Sequence, residues 1–213
     1  MKLEKRRTAL LLATLPHVVF DGWGPAALRA GARDLDLDPA LAFNAFPGGA
    51  AELVEAFSAW ADGKMLEALE QRDLEAMKVR DRVATGVRLR LEQVAAHREA
   101  VRRGLAFLAL PPNAPLGLKC LYRTVDAIWY AAGDRSTDYN FYSKRFLLAG
   151  VYSSTLLFWL NDKSEDYADT WAFLDRRIDE VLKVAGRLGK TVKRALDFPD
   201  RVARRFGQGA LGR

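Results

Sequence analysis

The chain has 213 residues, half of them hydrophobic and 28% charged, with a formal net charge of +6. That balance excludes a disordered or fibrous polymer and suits a globular protein large enough for a real core. One cysteine and two histidines exclude a disulfide framework, point to a reducing compartment and leave little for metal or nucleophilic chemistry.

Apolar residues recur at i, i+3, i+4 and i+7, and no run alternates with period two, so the expected fold is all-α. A first helix should cover 4–19 and stop before Asp21-Gly22. Its start, KLEKRR followed by TALLLATLPHVVF, imitates a signal peptide, but no small-residue cleavage site follows, so it reads as an amphipathic helix. Short helices are expected at 25–34, 38–45 and 48–60, and the charged stretch 62–108 should hold two more. Pro111, Pro112 and Pro115 form the clearest break, with Pro115 suited to a helix start. Helices at 116–132, 137–160 and 168–185 follow, then a tail helix. Cys120 lies in an apolar helical stretch and reads as a small buried hydrophobe. The stretch Phe146 to Leu160 is uncharged over 15 residues, against the ~20 a membrane span needs. Three units result: a head at 1–60, a body at 61–186 and a tail at 187–213.

The head has the outline of a helix-turn-helix. A helix, Gly22, two short helices joined by DLDLDP, then FPGG and another helix resemble the reading head of TetR-type regulators. The recognition helix would be PALAFNAF, Pro39 to Phe46. Yet no Lys or Arg occurs between Arg33 and Lys64, while Asp34, Asp36, Asp38, Glu52, Glu55 and Asp62 do. Such a surface repels a polyanion, and the expectation is a TetR-like scaffold that does not bind nucleic acid. The alternative is a TetR-type transcriptional regulator with a small apolar effector.

The tail carries the whole charge excess. Arg187 to Arg213 holds eight Lys or Arg and two Asp, so residues 1–186 net to zero. On a helical projection Leu188, Val192, Ala195, Pro199, Val202 and Phe206 line one side, with Leu196 at its edge. Lys190, Lys193, Arg194, Arg201, Arg204 and Arg205 lie off it. That is the pattern of a helix lying flat on an anionic membrane, although docking on the body or on a partner, or a disordered basic tail, fits the same sequence. Pro199 should kink or break it.

No His or Cys cluster has ligand spacing, no paired ExxH suggests a di-iron site, and no phosphate loop is present. His17 reads as structural. Asp134 and Asp138 could be drawn as an acid/base pair, but Asp138 better suits a helix cap. No enzyme activity, cofactor or metal is expected. In the body, Leu121, Tyr122, Val125, Ile128 and Trp129 share one helix face, and Trp171, Leu174 and Ile178 share another. The helix holding Leu147, Gly150, Val151, Ser154 and Phe158 is apolar all round near its middle and should be buried. Small residues there could leave a lipid pocket between helices, while an ordinary packed core fits the same pattern.

Five segments stand in the order found in one family. These are LPHVVFDGW (Leu15 to Trp23), PPNAP (Pro111 to Pro115), VDAIWYAAGD (Val125 to Asp134), GDRSTDYNFYSKR (Gly133 to Arg145) and TWAFLDRR (Thr170 to Arg177). Together they resemble the Coq-nine family of ubiquinone biosynthesis accessory proteins over roughly residues 8–186. The resemblance implies a TetR-like fold whose regulator cavity holds isoprenoid lipids, quinone intermediates among them. The lipid-binding candidates are then Leu121, Tyr122, Val125, Trp129, Leu147, Gly150, Val151, Ser154, Phe158, Trp171, Leu174 and Ile178. It also implies a partner, the di-iron hydroxylase acting on demethoxyubiquinone, docked on a patch matching Ile128, Asp138, Phe141 and Tyr142. The family often has Trp where Phe141 stands. With Met1 almost at the start of the family domain, a bacterial-type member is expected, cytoplasmic and peripheral on the inner membrane. A homodimer through the last body helices is expected by analogy with TetR regulators.

Overall fold

The computed structural model describes residues 2–134 and 139–196, with side chains described for 4–134 and 141–183. Its elements are α1 (Lys2–Asp21), α2 (Pro25–Asp34), α3 (Pro39–Ala45), α4 (Gly49–Glu70), α5 (Val79–Glu92), α6 (Arg98–Leu108), α7 (Ala114–Ala131), α8 (Tyr139–Trp159) and α9 (Ala168–Leu196). Among the described residues there is no strand.

Turn chemistry sets the helix boundaries. Gly22, at φ +70, leaves α1 by the left-handed conformation that glycine adopts without penalty. Pro25 then opens α2 and Pro39 opens α3, where Asp38 accepts the Ala40 N–H at 2.7 Å. His17 Nε2 meets the Asp34 carboxylate at 2.6 Å, fastening α1 to the end of α2, and Trp23 donates its indole N–H to the Ala100 carbonyl of α6. The LPHVVFDGW segment is thus a strap between head and body.

Two boundaries differ from expectation. The helix expected at 48–60 continues to Glu70, because Asp62-Gly63, which reads as a stop, lies within it. Asp62 is buried and accepts hydrogen bonds from Arg90 of α5 and from Arg123 and Thr124 of α7. The last body helix likewise does not end at 185: α9 runs through Arg187 to Leu196 as one helix. The remaining tail positions, Val202, Phe206, Arg201, Arg204 and Arg205, lie outside the described residues.

The core is continuous from head to body. Leu15, Val18, Leu28, Phe46 and Leu53 are buried in the same cluster as Met65, Leu91, Val125, Ile128 and Trp159. The head packs through a close crossing of α1 on α2, where a Cβ placed on Gly31 would lie 2.7 Å from the Thr14 backbone nitrogen. Backbone atoms cannot swing aside as a flexible side chain can. Gly31→Ala should therefore lower unfolding free energy by about 1–3 kcal/mol, read from urea denaturation.

Candidate functional site

α7 and α8 pack against each other and carry two cavities, one near each end. The first, of about 520 Å³, is walled by α4, α5, α6, the first half of α7 and the second half of α8. The second, of about 570 Å³, lies between α5, the end of α7, the start of α8 and α9. No residue lines both. Along α7, Val125 and Ile128 fall between the two sets and are fully buried. Ile128 presses on α5 where Gly86 leaves room, since a Cβ there would come within 2.9 Å of it.

The expected lipid-binding residues divide accordingly. Trp129, Leu147, Val151 and Ile178 line the second cavity, and Leu121 lines the first. Leu174 and Val125 are buried in the core without lining either. Tyr122, Gly150, Ser154 and Phe158 stand at the outer surface of α7 and α8: Tyr122, Gly150 and Phe158 are exposed, and Ser154 returns its hydroxyl to the Gly150 carbonyl at 2.8 Å. Phe158 stacks on Phe173 with centroids 4.5 Å apart. Trp171 donates to the Asp166 carbonyl and lies under the Arg88 guanidinium. Helical periodicity located the apolar faces but could not say which residues of a face meet empty space.

The second cavity has an apolar mouth. Val79, opening α5, and Leu182 of α9 both line it and are both exposed. Its inner rim is formed by Gly133, Asp134, Ser143 and Lys144. Gly133, at φ +87, ends α7. Asp134, only 5% exposed, receives Lys144 at 2.7 Å and Arg145 at 3.2 Å from the first turns of α8. Arg145 also meets Asp126 at 2.6 Å and lies 3.3 Å over the Phe141 ring, and Trp129 donates to the Lys144 carbonyl. GDRSTDYNFYSKR therefore ties α7 to α8 through buried charges, and Asp134 is an ion-pair partner rather than half of an acid/base pair. Breaking such a buried pair costs about 3–5 kcal/mol.

Of the expected docking patch, Tyr142 is 67% exposed while Phe141 is half-buried beneath Arg145. Asp138 lies outside the described residues. Ile128, the fourth residue of that patch, is 1% exposed and packs in the core of this chain. Ile128→Ala should cost about 2–5 kcal/mol of stability, seen as a lower Tm in the chain by itself.

The turn from α8 into α9 is pinned by Asp162. One carboxylate oxygen accepts the Ser164 N–H and hydroxyl, at 2.7 and 2.6 Å, and the other accepts those of Thr170 at 2.9 and 2.5 Å. Burial would raise this carboxyl, but the four hydrogen bonds prevail and hold it at about 2. A carboxyl lowered in the folded state stabilises fully above its unfolded value and loses that contribution as pH falls through the folded one. The wild type should lose stability between roughly pH 4 and pH 2 through this group. Asp162→Asn should flatten that window and cost about 1–3 kcal/mol at neutral pH, measured by denaturation across pH.

Among the described residues no cluster of His, Cys, Asp or Glu is arranged to hold a metal, and no helix is long and apolar enough to cross a membrane.

The helix order and the head packed on a cavity-bearing body define a TetR-regulator-like all-α protein. The structure matches that of the TetR transcriptional regulator from Nitrosomonas europaea ATCC 19718 with a TM-score of 0.69 at 20% identity, over 84% of this chain and 98% of that one. Residues 114–185 of the chain match the model of the COQ9 family. It is 34% identical to the mitochondrial ubiquinone biosynthesis protein COQ9 of Rattus norvegicus, over 89% of this chain and 62% of that protein. The same identity to the Xenopus tropicalis protein covers 98% and 65%. The Homo sapiens protein is 33% identical, over 89% and 61%. The chain thus spans somewhat under two thirds of the length of these relatives. The matched segment runs from α7 through α8 into α9, and so includes Gly133, Asp134, Ser143 and Lys144 at the inner rim of the second cavity, and Tyr142.

Proposed function

We propose that this protein is a non-catalytic, lipid-binding accessory factor of ubiquinone biosynthesis. It holds the isoprenoid part of a quinone intermediate and presents it to a demethoxyubiquinone hydroxylase at the membrane surface. The observation that carries this reading is the second cavity, with its apolar lining of Trp129, Leu147, Val151 and Ile178 and its mouth at Val79 and Leu182. Its volume falls in the ~300–1,000 Å³ range of small-molecule sites. An isoprenoid chain leaving a bilayer loses about 0.8 kcal/mol per buried CH₂ unless a comparably apolar surface receives it.

Two neighbours of the cavity support presentation rather than storage. Leu182, at the mouth, stands five residues before the basic segment that begins at Arg187, so lipid would enter from the side at which the tail meets a membrane. Leu188, Lys190, Val192, Lys193, Arg194 and Leu196 continue α9 as its backbone runs on. At the other end, Ser143 and Lys144 line the cavity next to exposed Tyr142, an aromatic of the kind that anchors interfaces. A docked hydroxylase there would face the cavity's inner rim.

The regulator reading draws only on the fold. Around α3 the exposed residues include Arg33 beside Asp34, Asp36 and Asp38, with Leu35, Pro39, Ala40, Leu41 and Asn44. Arg7 is paired with Glu52 and Arg29 lies over Phe43. A phosphate backbone meets net negative charge on that surface.

Freshly purified protein made in quinone-producing cells should yield organic extracts enriched in isoprenoid quinones or their precursors, compared by mass spectrometry with an unrelated protein. A folded protein with no enriched lipid would remove the cargo role. Replacing Arg194, Arg201, Arg204 and Arg205 together by Glu should abolish binding to anionic liposomes, and unchanged binding would eliminate the tail as the membrane contact. Tyr142→Ala should weaken co-purification of the hydroxylase at least tenfold with Tm unchanged.

A further inference from the structure

The first cavity lies outside that reading and contains a feature an empty apolar gap would not need. Its walls are mostly apolar, with the small polar side chains of Ser58, Thr124 and Ser153 among them, and Arg90 and Tyr152, each 6% exposed, also line it. Arg90 gives its Nε to Asp62 at 2.7 Å and one Nη2 hydrogen to the Ser58 carbonyl at 3.3 Å. Among the described residues neither its Nη1 nor the Tyr152 hydroxyl has a protein hydrogen-bond partner, and both side chains line the cavity. A guanidinium buried beside an aliphatic wall with donors unspent is costly unless something accepts them.

The charge around it is unbalanced in one direction. The connected cluster contains Asp62 and Glu55 as carboxylates, against Arg90, Arg123 and Lys119 as cations. Asp62 is already occupied by Arg90, Arg123 and the Thr124 hydroxyl. Burial raises the Tyr152 phenol, against the pull of Arg90, so at neutral pH it is a neutral donor. A cation with a free edge and a phenol beside it match one carboxylate group. Two such donors suffice for a single negative charge, whereas a phosphate would ask for more.

The opposite end of the cavity is open and apolar. Leu118 of α7 and Leu157 of α8 line it while 67% and 58% exposed. The interior is also narrow in a useful way: Gly104 and Gly117 line it, and a Cβ at either would approach Trp23 or Leu108 to within 3.3–3.4 Å.

We propose that the first cavity is a second lipid site, taking a single-chain lipid carboxylate head first, with the carboxylate on Arg90 and Tyr152 and the chain leaving between Leu118 and Leu157. This site is independent of the quinone-bearing cavity, with which it shares no lining residue.

Palmitate and its neutral methyl ester share a chain and differ in head charge, so titrating both by intrinsic tryptophan fluorescence tests the assignment. The wild type should bind palmitate at least tenfold more tightly than the ester. Tyr152→Phe, which removes one oxygen, should weaken palmitate several-fold and leave the ester unchanged. Arg90→Met alone strands the Asp62 carboxylate, so it is paired with Asp62→Asn; the double variant should bind both ligands equally. Equal affinities in the wild type, or a palmitate preference surviving in the double variant, would overturn the proposal. Leu147→Trp, which fills the other cavity, should leave palmitate binding intact. Loss of palmitate binding there would place the lipid in the quinone cavity and overturn the second site without touching the first reading.

Discussion

A carboxylate buried in the middle of α4 sets the geometry of the body. Asp62 receives Arg90 from α5 and both Arg123 and Thr124 from α7, so three helices are locked at one point by groups that cannot be left unpaired. Removing one partner of such a set costs about 3–5 kcal/mol, far more than an exposed ion pair contributes. The same cluster explains why α4 passes through Asp62-Gly63 without breaking. It also keeps α5 and α7 at a fixed spacing, which allows cavities beside them to persist instead of collapsing into a closed core.

A second buried cluster works at the other end. Asp134 gathers Lys144 and Arg145 across the α7–α8 turn, and between the two clusters Val125 and Ile128 fill the interior. The fully buried stretch of α7 therefore separates two pockets, each bordered by one charged cluster and opening past exposed aliphatic residues. Apolar volume with a polar end and an open apolar end is a shape suited to amphipathic ligands, and both functional proposals draw on it.

The all-α architecture and most helix positions were legible because the 3.6-residue period and the proline breaks are local signals. The ends of α4 and α9 were not. In α4 a local stop signal is overridden by long-range ion pairs, and in α9 a change in charge was read as a boundary although the backbone continues. The site was legible in outline only. Trp129, Leu147, Val151 and Ile178 do meet in one cavity, yet Tyr122, Gly150 and Phe158 from the same faces point outward. Ile128, grouped by resemblance with exposed positions, is core. Arg90 and Tyr152 escaped notice altogether: in sequence each is one residue among many of its kind, and only the fold brings them to the same wall.

The second cavity is the proposed seat of the isoprenoid chain. Irradiating the full chain with a photoreactive isoprenoid quinone analogue on anionic vesicles, then mapping the label by peptide mass spectrometry, tests that seat directly. Label concentrated on the α8 and α9 peptides containing Leu147, Val151 and Ile178, and competed by unlabelled quinone, is the predicted result. Label confined to the first cavity around Leu118 and Leu157, or scattered over the surface and indifferent to competitor, would contradict it.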